Sequence, residues 1–466
     1  MSLCIEELRT DLTATAIFQR LAAEPELAFL DSNSGYGRLG RWSILACRPW
    51  QRLRGWTDHC LLDGSLVSAD PFSLLQKLLS EQQVTPRPDL PLAGGCIGLI
   101  SYDAGFALND LPLPRRVDCS RPFVRFNFYD NFIIVDHQLG QTWLMACGRL
   151  EPAYLSIERL KTLLSQPPKS LERSPDTAEP TCGSGRGRLL LIPARQPYLA
   201  KVDQLRDWIR LGEVYIANLT SRFRAASPRD SIDLYRHFRR INPAPFAALI
   251  RQDGLDVLSA SPERFLSVRP TPEGGWRVET RPIKGTRPRS ADPARDRANR
   301  QELENSGKDR SELLMIVDLE RNDLSRVCRP DSVHVEELFK LETFPEVFHL
   351  VATVSGILQD GEDAVSCLRA CFPGGSITGA PKMRAMELID QLEDDARGFY
   401  TGCLGYFSAD GQADFSIIIR TMVRQGDQIL YGAGGGITWE SNAADEYQEL
   451  LDKAAFFRRL IEHDPD

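Results

Sequence analysis

Three short stretches carry groups that could do covalent or metal-assisted chemistry. In Arg281-Pro282-Ile283-Lys284-Gly285-Thr286 a lysine follows a strand-like run and precedes a glycine that allows close backbone approach. A lysine attacks only as the neutral amine, which burial or a nearby cation favours. In Lys308-Asp309-Arg310-Ser311-Glu312-Leu313-Leu314-Met315-Ile316, Glu312 opens an apolar helical run and could turn inward, where a carboxylate needs a partner or a metal. In Asp445-Glu446-Tyr447-Gln448-Glu449, Glu446 and Glu449 share a helix face and repel unless a cation lies between them. Hard carboxylate oxygens of this kind suit Mg²⁺. Taken singly, each stretch also reads as a solvated surface lysine or an acidic helix face.

Glycine-rich segments stand near these groups in the chain. Phe372-Pro373-Gly374-Gly375-Ser376-Ile377-Thr378-Gly379-Ala380-Pro381-Lys382 precedes a helix, and Tyr431-Gly432-Ala433-Gly434-Gly435-Gly436-Ile437 reads as a loop after a strand. Exposed backbone N–H groups in such loops can hold carboxylates, and neither segment matches a nucleotide-binding fingerprint. Arg420, read as lying inside a strand over residues 415–421, is the residue type that clamps a carboxylate bidentately. None of the six histidines is paired at metal-ligand spacing, which argues against zinc. His349 sits in the apolar run Val347-Phe348-His349-Leu350-Val351, the setting of a hydrogen-bonded core histidine. Gly94-Gly95-Cys96-Ile97-Gly98 mimics a glutaminase nucleophile, but its flanks do not read as the doubly wound domain that chemistry needs.

The elements that must position these groups mix both kinds. Helical periodicity predicts helices near residues 71–79, 196–211, 298–323 and 442–461. Strands are predicted at 246–250, 257–259, 277–283 and 415–423, and a hairpin joins 132–135 to 142–145 through Gln138-Leu139-Gly140. There is no regular βαβ beat, so the class is α+β. The polar, Pro/Gly/Ser-rich stretch 166–188 reads as a linker or surface loop between residues 1–165 and the catalytic region 189–466.

The chain of 466 residues is 42% hydrophobic and 26% charged, with a net charge of −8. That composition is ordinary for a soluble globular protein, and without a basic stripe it excludes a nucleic-acid binder. No apolar run is long enough for a membrane span. The start of the chain does not read as a signal peptide, and eleven scattered cysteines fit reduced thiols, so a cytoplasmic location is expected.

In order and density these segments resemble the chorismate-utilising enzymes, which include the large subunits of anthranilate synthase and aminodeoxychorismate synthase, isochorismate synthase and salicylate synthase. The resemblance rests on Ser261-Pro262-Glu263-Arg264-Phe265, 282–286, 308–323, His349-Leu350-Val351, 372–382, Ile417-Ile418-Ile419-Arg420-Thr421 and 433–437. It implies two stacked antiparallel sheets flanked by helices. Lys284 stands where anthranilate synthases have alanine in Pro-Ile-Ala-Gly-Thr, and aminodeoxychorismate synthases resemble Pro-Ile-Lys-Gly-Thr.

That branch implies a covalent Lys284 adduct of chorismate, with Glu263 as proton donor and His349 as its hydrogen-bond partner. It also implies Mg²⁺ on Glu312 and Glu449 with Glu446 close by. Arg420, Tyr406, Thr378, Lys453 and the backbone of Gly434, Gly435 and Gly436 would bind substrate. Ile216 replaces the glutamine or lysine usual in Gly212-Glu213-Val214-Tyr215-Ile216-Ala217-Asn218, so no base can act from that position, which argues against isochorismate synthesis. The resemblance further implies a separate glutamine amidotransferase subunit. It also implies a tryptophan pocket at Leu30-Asp31-Ser32, Arg41-Trp42 and Pro245-Phe246, with Asp31 replacing the commoner glutamate. Anthranilate synthase, and a non-catalytic chorismate or tryptophan sensor, are the alternatives.

Overall fold

The computed structural model describes residues 3–32, 35–168 and 187–462. Most of the expected linker lies outside the described residues. Its described end, from Arg188, opens the strand Arg188–Leu191. Among the described residues no helix is long and apolar enough to cross a membrane.

Two sheets of twelve strands each form the body, and every pairing within them is antiparallel. Each sheet takes strands from both sides of the linker. In the first, Ala28–Asp31 pairs with Phe246–Gln252. In the second, Cys96–Ile100 pairs with Cys403–Phe407. The sheets stack face to face through Ala28, Ile134, Ala248 and Val257 of the first against Ile97, Leu99 and Leu404 of the second. Alternating side chains of each strand fill that layer, while the opposite set faces the helices. Helices cover both outer faces, with Leu205, Phe238 and Phe457 on the first sheet and Leu75, Val317 and Leu368 on the second.

Three expectations change in detail. The stretch 415–423 is two strands, Ala413–Ile417 in the second sheet and Thr421–Gln425 in the first. The chain crosses between sheets there, and Arg420 takes a left-handed φ of 48° at the crossing. The last helix is broken at Ala454 into Ala443–Lys453 and Ala455–Glu462. The glycine run 432–436 is not a loop. It lies within the strand Gln428–Ile437, in register with Ile216–Ala226 so that Asn218 faces Gly436 and Thr220 faces Gly434.

Candidate functional site

Two helices and three strands bring the reactive groups together. The helix Gly307–Ser325 starts at Ser306, whose hydroxyl accepts from the Asp309 N–H at 3.2 Å. From there the four-residue step of the helix lays Glu312, Ile316 and Glu320 along one buried stripe. Glu312 is 7% exposed. The helix Ala443–Lys453 starts at Asn442, whose side chain caps Ala444 and Asp445 and aims Glu446 and Glu449 at the glycine strand.

Gly435 and Gly436 are glycine because side chains already fill the space beside them. A Cβ on Gly435 would stand 3.2 Å from Glu446 Oε2 and 3.6 Å from Glu449 Oε1. One on Gly436 would stand 3.4 Å from both Lys284 Nζ and Glu312 Oε2 and 3.1 Å from Ile216 Cδ1. These contacts place Lys284, Glu312, Glu446 and Glu449 around one short length of strand. Gly285, with φ +80°, serves the same end, since a Cβ there would press on Leu303 and Asp309.

Lys284 lies on the strand Ile283–Pro288 and donates to the Ser376 carbonyl at 3.2 Å. Ser376 also holds the Glu263 carboxyl through its hydroxyl, so one residue of the 372–382 segment orients both groups. Glu263 is buried, and burial pushes its carboxyl up to about 7 against the opposing pull of Ser376, Lys284 and the Ile283 backbone.

The carboxylates are cross-linked by lysines. Lys308 Nζ stands 3.1 Å from Glu446 Oε1 and 3.8 Å from Glu312 Oε1. Lys453 Nζ stands 2.7 Å from Glu449 Oε1 and donates to the Gly434 carbonyl at 2.7 Å. Ser441 donates to Glu446 Oε1 at 2.7 Å. Burial raises Glu312 against Lys284 and Lys308, whereas Lys453, Lys308 and Lys284 together outweigh burial and hold Glu449 low. Among the described residues no three carboxylate, histidine or cysteine groups cage a metal directly. The donor set is nevertheless all hard oxygen, and Gly435 leaves Glu446 and Glu449 room to converge. Both features fit a cation of the Mg²⁺ class.

His349 is brought near Lys284 but not onto Glu263. Its strand pairs with that of Lys284, with Thr286 opposite, and the Thr286 hydroxyl meets His349 Nδ1 at 2.9 Å. Burial, then the Arg420 charge, push the imidazole down to about 3, so it stays neutral. His349 and Arg420 line a cavity of about 110 Å³ with Tyr36, Asn242, Pro245 and Pro262.

Two of the expected substrate-binding residues turn their hydroxyls away from the cluster. Thr378 is fully buried, and its hydroxyl donates to the Gly374 carbonyl at 2.9 Å, so it braces its own loop. Tyr406 bonds the Pro91 carbonyl at 2.9 Å and Arg269 at 2.8 Å, and it lines a different cavity of about 420 Å³. Ser32, Arg41, Trp42 and Pro245 line that second cavity too, above a floor of Arg264, Arg269 and Asp414. Its charges are already paired: Arg41 with Asp136 at 2.7 Å, Arg264 with Asp414 at 2.9 Å and Asp31 with Arg239 at 2.6 Å. Sequence reasoning passed over Ser376 and Lys308. Both stand inside motifs it used, but nothing local marks a serine carbonyl or a first-turn lysine as part of a site.

Set beside known proteins, residues 36–459 match the family profile described as chorismate binding enzyme. The chain belongs to the chorismate-binding enzymes. It is 41% identical to aminodeoxychorismate synthase component 1 of Klebsiella aerogenes, over 94% of each chain. It is 35% identical to anthranilate synthase component 1 of Streptomyces coelicolor, over 96% of this chain and 86% of that one. Anthranilate synthase component I of Streptococcus pneumoniae superposes with a TM-score of 0.75 at 29% identity, covering 89% of this chain and 91% of that one.

Proposed function

We propose that this chorismate-binding enzyme replaces the C4 hydroxyl of chorismate with an amino group, giving 4-amino-4-deoxychorismate for 4-aminobenzoate and folate synthesis. The observation that carries the reading is the position of Lys284 Nζ, within reach of the Ser376 carbonyl and beside Gly436 and Glu312. An amine in that place can attack ring carbon C2 once it has lost its proton. The ring double bonds shift and the C4–O bond breaks. Glu263 gives the departing oxygen its proton, so water leaves. Ammonia then bonds to C4, the double bonds shift back and the Lys284 amine departs. One hard displacement becomes two easier ones. The balance is chorismate plus ammonia to 4-amino-4-deoxychorismate plus water.

Glu312, Glu446 and Glu449 would hold Mg²⁺, which neutralises and fixes the ring carboxylate when bound. Arg420 and Lys453 supply cations for the substrate's carboxylates, and neutral His349 donates or accepts a hydrogen bond without adding charge. Ammonia comes from glutamine through a separate amidotransferase subunit. The second cavity, with Trp42, Ser32 and Pro245 on its wall, takes tryptophan. Ile216 beside Gly436 places an apolar side chain where a water-activating base would have to stand, which favours ammonia over water as the incoming nucleophile.

The test is product analysis with chorismate, Mg²⁺ and ammonium at alkaline pH, with and without an added aminodeoxychorismate lyase. 4-Aminobenzoate formed only with the lyase is the expected result. Anthranilate would overturn the branch assignment.

A further inference from the structure

Count the charges packed around Gly435 and Gly436. Glu312, Glu446 and Glu449 contribute three negative groups, and Lys284, Lys308 and Lys453 offer three positive ones. The cluster is balanced without a metal. The three lysines are not held alike. Lys284 donates to the Ser376 carbonyl, and Lys453 splits its contacts between Glu449 and the Gly434 carbonyl. Lys308 places its ammonium between two carboxylates on different helices, Glu312 of its own and Glu446 of the other. Asp309, next along the helix, is taken by Arg287 at 3.2 Å and does not compete for it.

The exposures are equally uneven. The Glu446 and Glu312 side chains are 3% and 10% exposed, whereas that of Lys308 is 40% exposed. The carboxylates are fixed in the protein, with Ser441 also clamping Glu446. The lysine stands at the edge of the cluster, on the first turn of its helix, with water to swing into. Its long stem makes that movement inexpensive in contacts.

We propose that Lys308 is the built-in counter-cation of this site: its ammonium holds Glu312 and Glu446 together in the metal-free protein, and it must leave for a divalent ion to enter. The inference rests on the metal reading above and deepens it, because it makes Lys308 the residue that sets the affinity of the site. A doubly charged ion entering beside all three lysines would leave two positive charges unbalanced in a half-buried cluster, which is costly. Displacement of Lys308 into water removes one of them. The remaining positive charge then favours a dianionic substrate arriving with the metal.

The experiment is calorimetric titration of Mg²⁺ alone into the full chain, without chorismate, for the unaltered protein, Lys308→Gln and Lys308→Arg. Lys308→Gln removes the competitor, and Mg²⁺ should bind about tenfold tighter. Lys308→Arg keeps a cation whose planar fork grips carboxylates in pairs, so Mg²⁺ should bind more weakly than in the unaltered protein. If Lys308→Gln fails to fold, weakening in Lys308→Arg still supports the proposal, and an unchanged affinity there overturns it. Equal or weaker Mg²⁺ binding by a folded Lys308→Gln, with the unaltered protein binding normally, overturns the proposal and leaves the metal reading intact. No Mg²⁺ heat or thermal protection in any of the three proteins would sink the metal reading, and this inference with it.

Discussion

The lysine–carboxylate cluster and the arginine-lined cavity beside Trp42 both set cations against carboxylates and hold them in opposite ways. In the cavity arginine forks hold the carboxylates: Arg264 grips Asp414 through two nitrogens at 3.0 and 2.9 Å and Glu279 at 2.9 Å, and Arg41 forks onto one Asp136 oxygen while stacking on Trp42. Paired forks of this kind are rigid and chemically quiet. In the cluster, carboxylates crowd one another, a lysine stands between two of them, and a buried carboxyl titrates near neutrality. A site whose charges are locked in arginine–carboxylate forks recognises a shape. One whose charges are shared or displaced can move a proton or exchange a cation. The comparison teaches that reactivity here depends on incomplete pairing, and it can be broken at either end.

The largest effect is expected at the group with no substitute. Lys284→Ala should lower amination of chorismate by at least about a thousandfold, because the covalent route is lost and the neighbouring Lys308 and Lys453 amines are held by carboxylates. Chorismate binding and the melting temperature should stay close to those of the unaltered protein, since Lys284 is only half-buried. Denaturing mass spectrometry of the unaltered protein trapped during turnover should show a lysine-bound ring. Loss of binding along with activity would mean that Lys284 is a carboxylate clamp and not a nucleophile.

Glu263 separates catalysis from stability. As a proton donor it must be protonated, so turnover at constant free ammonia should fall as pH rises through about 7. Glu263→Gln should lose about a hundredfold or more in rate and flatten that limb. Its effect on folding has the opposite sign. A carboxyl near 7 in the fold and 4.5 in the unfolded chain binds more protons when folded, so stability is lost as pH climbs from 4.5 to 7. Above pH 7 that cost is roughly 3 kcal/mol, and glutamine does not carry it. Urea unfolding at pH 8 should therefore find Glu263→Gln more stable than the unaltered protein, with little difference near pH 4.5. A variant destabilised at both pH values would show that the carboxylate is a structural anchor.

How much of this contrast was legible in the sequence depends on range. Lys284, Glu263, Glu312, Glu446 and Glu449 each stand in a short motif of unusual residues that sequence singles out, and Gly435 and Gly436 account for the close approach of all but Glu263. Residues 432–436 read as a loop because glycine weakens strand signals, and only the pairing with Ile216–Ala226 makes a strand of them. Tyr406, expected beside the substrate's carboxylates, lines the cavity of Trp42 and not the lysine–carboxylate cluster. A residue in a strand faces one side or the other by the parity of its position, and which cavity lies on that side is a property of sheet stacking. The inter-sheet crossing at Arg420 is invisible in a run of β-branched residues that suits one unbroken strand. Thr378 and Ser376 are two residues apart in one loop, and their roles differ because the Thr378 hydroxyl donates to the Gly374 carbonyl while the Ser376 carbonyl accepts from Lys284.

The smallest effects are expected in the quiet cavity, and they measure how separate the two regions are. Tryptophan should bind there, and at a hundred times its dissociation constant it would add about 2.7 kcal/mol to stability, seen as a modest rise in melting temperature. Ser32 is the link to remove, because its hydroxyl donates to the Pro245 carbonyl at 3.1 Å and Pro245 lines both this cavity and the one holding Arg420 and His349. Ser32→Ala loses one neutral hydrogen bond within the protein, about 1 kcal/mol of stability, read by urea unfolding. If fully paired charges keep this cavity rigid, turnover of chorismate in the variant should remain within a factor of two. A parallel fall in turnover would show that Pro245 carries motion from one cavity to the other, and that the quiet region takes part in setting the geometry of the reactive one.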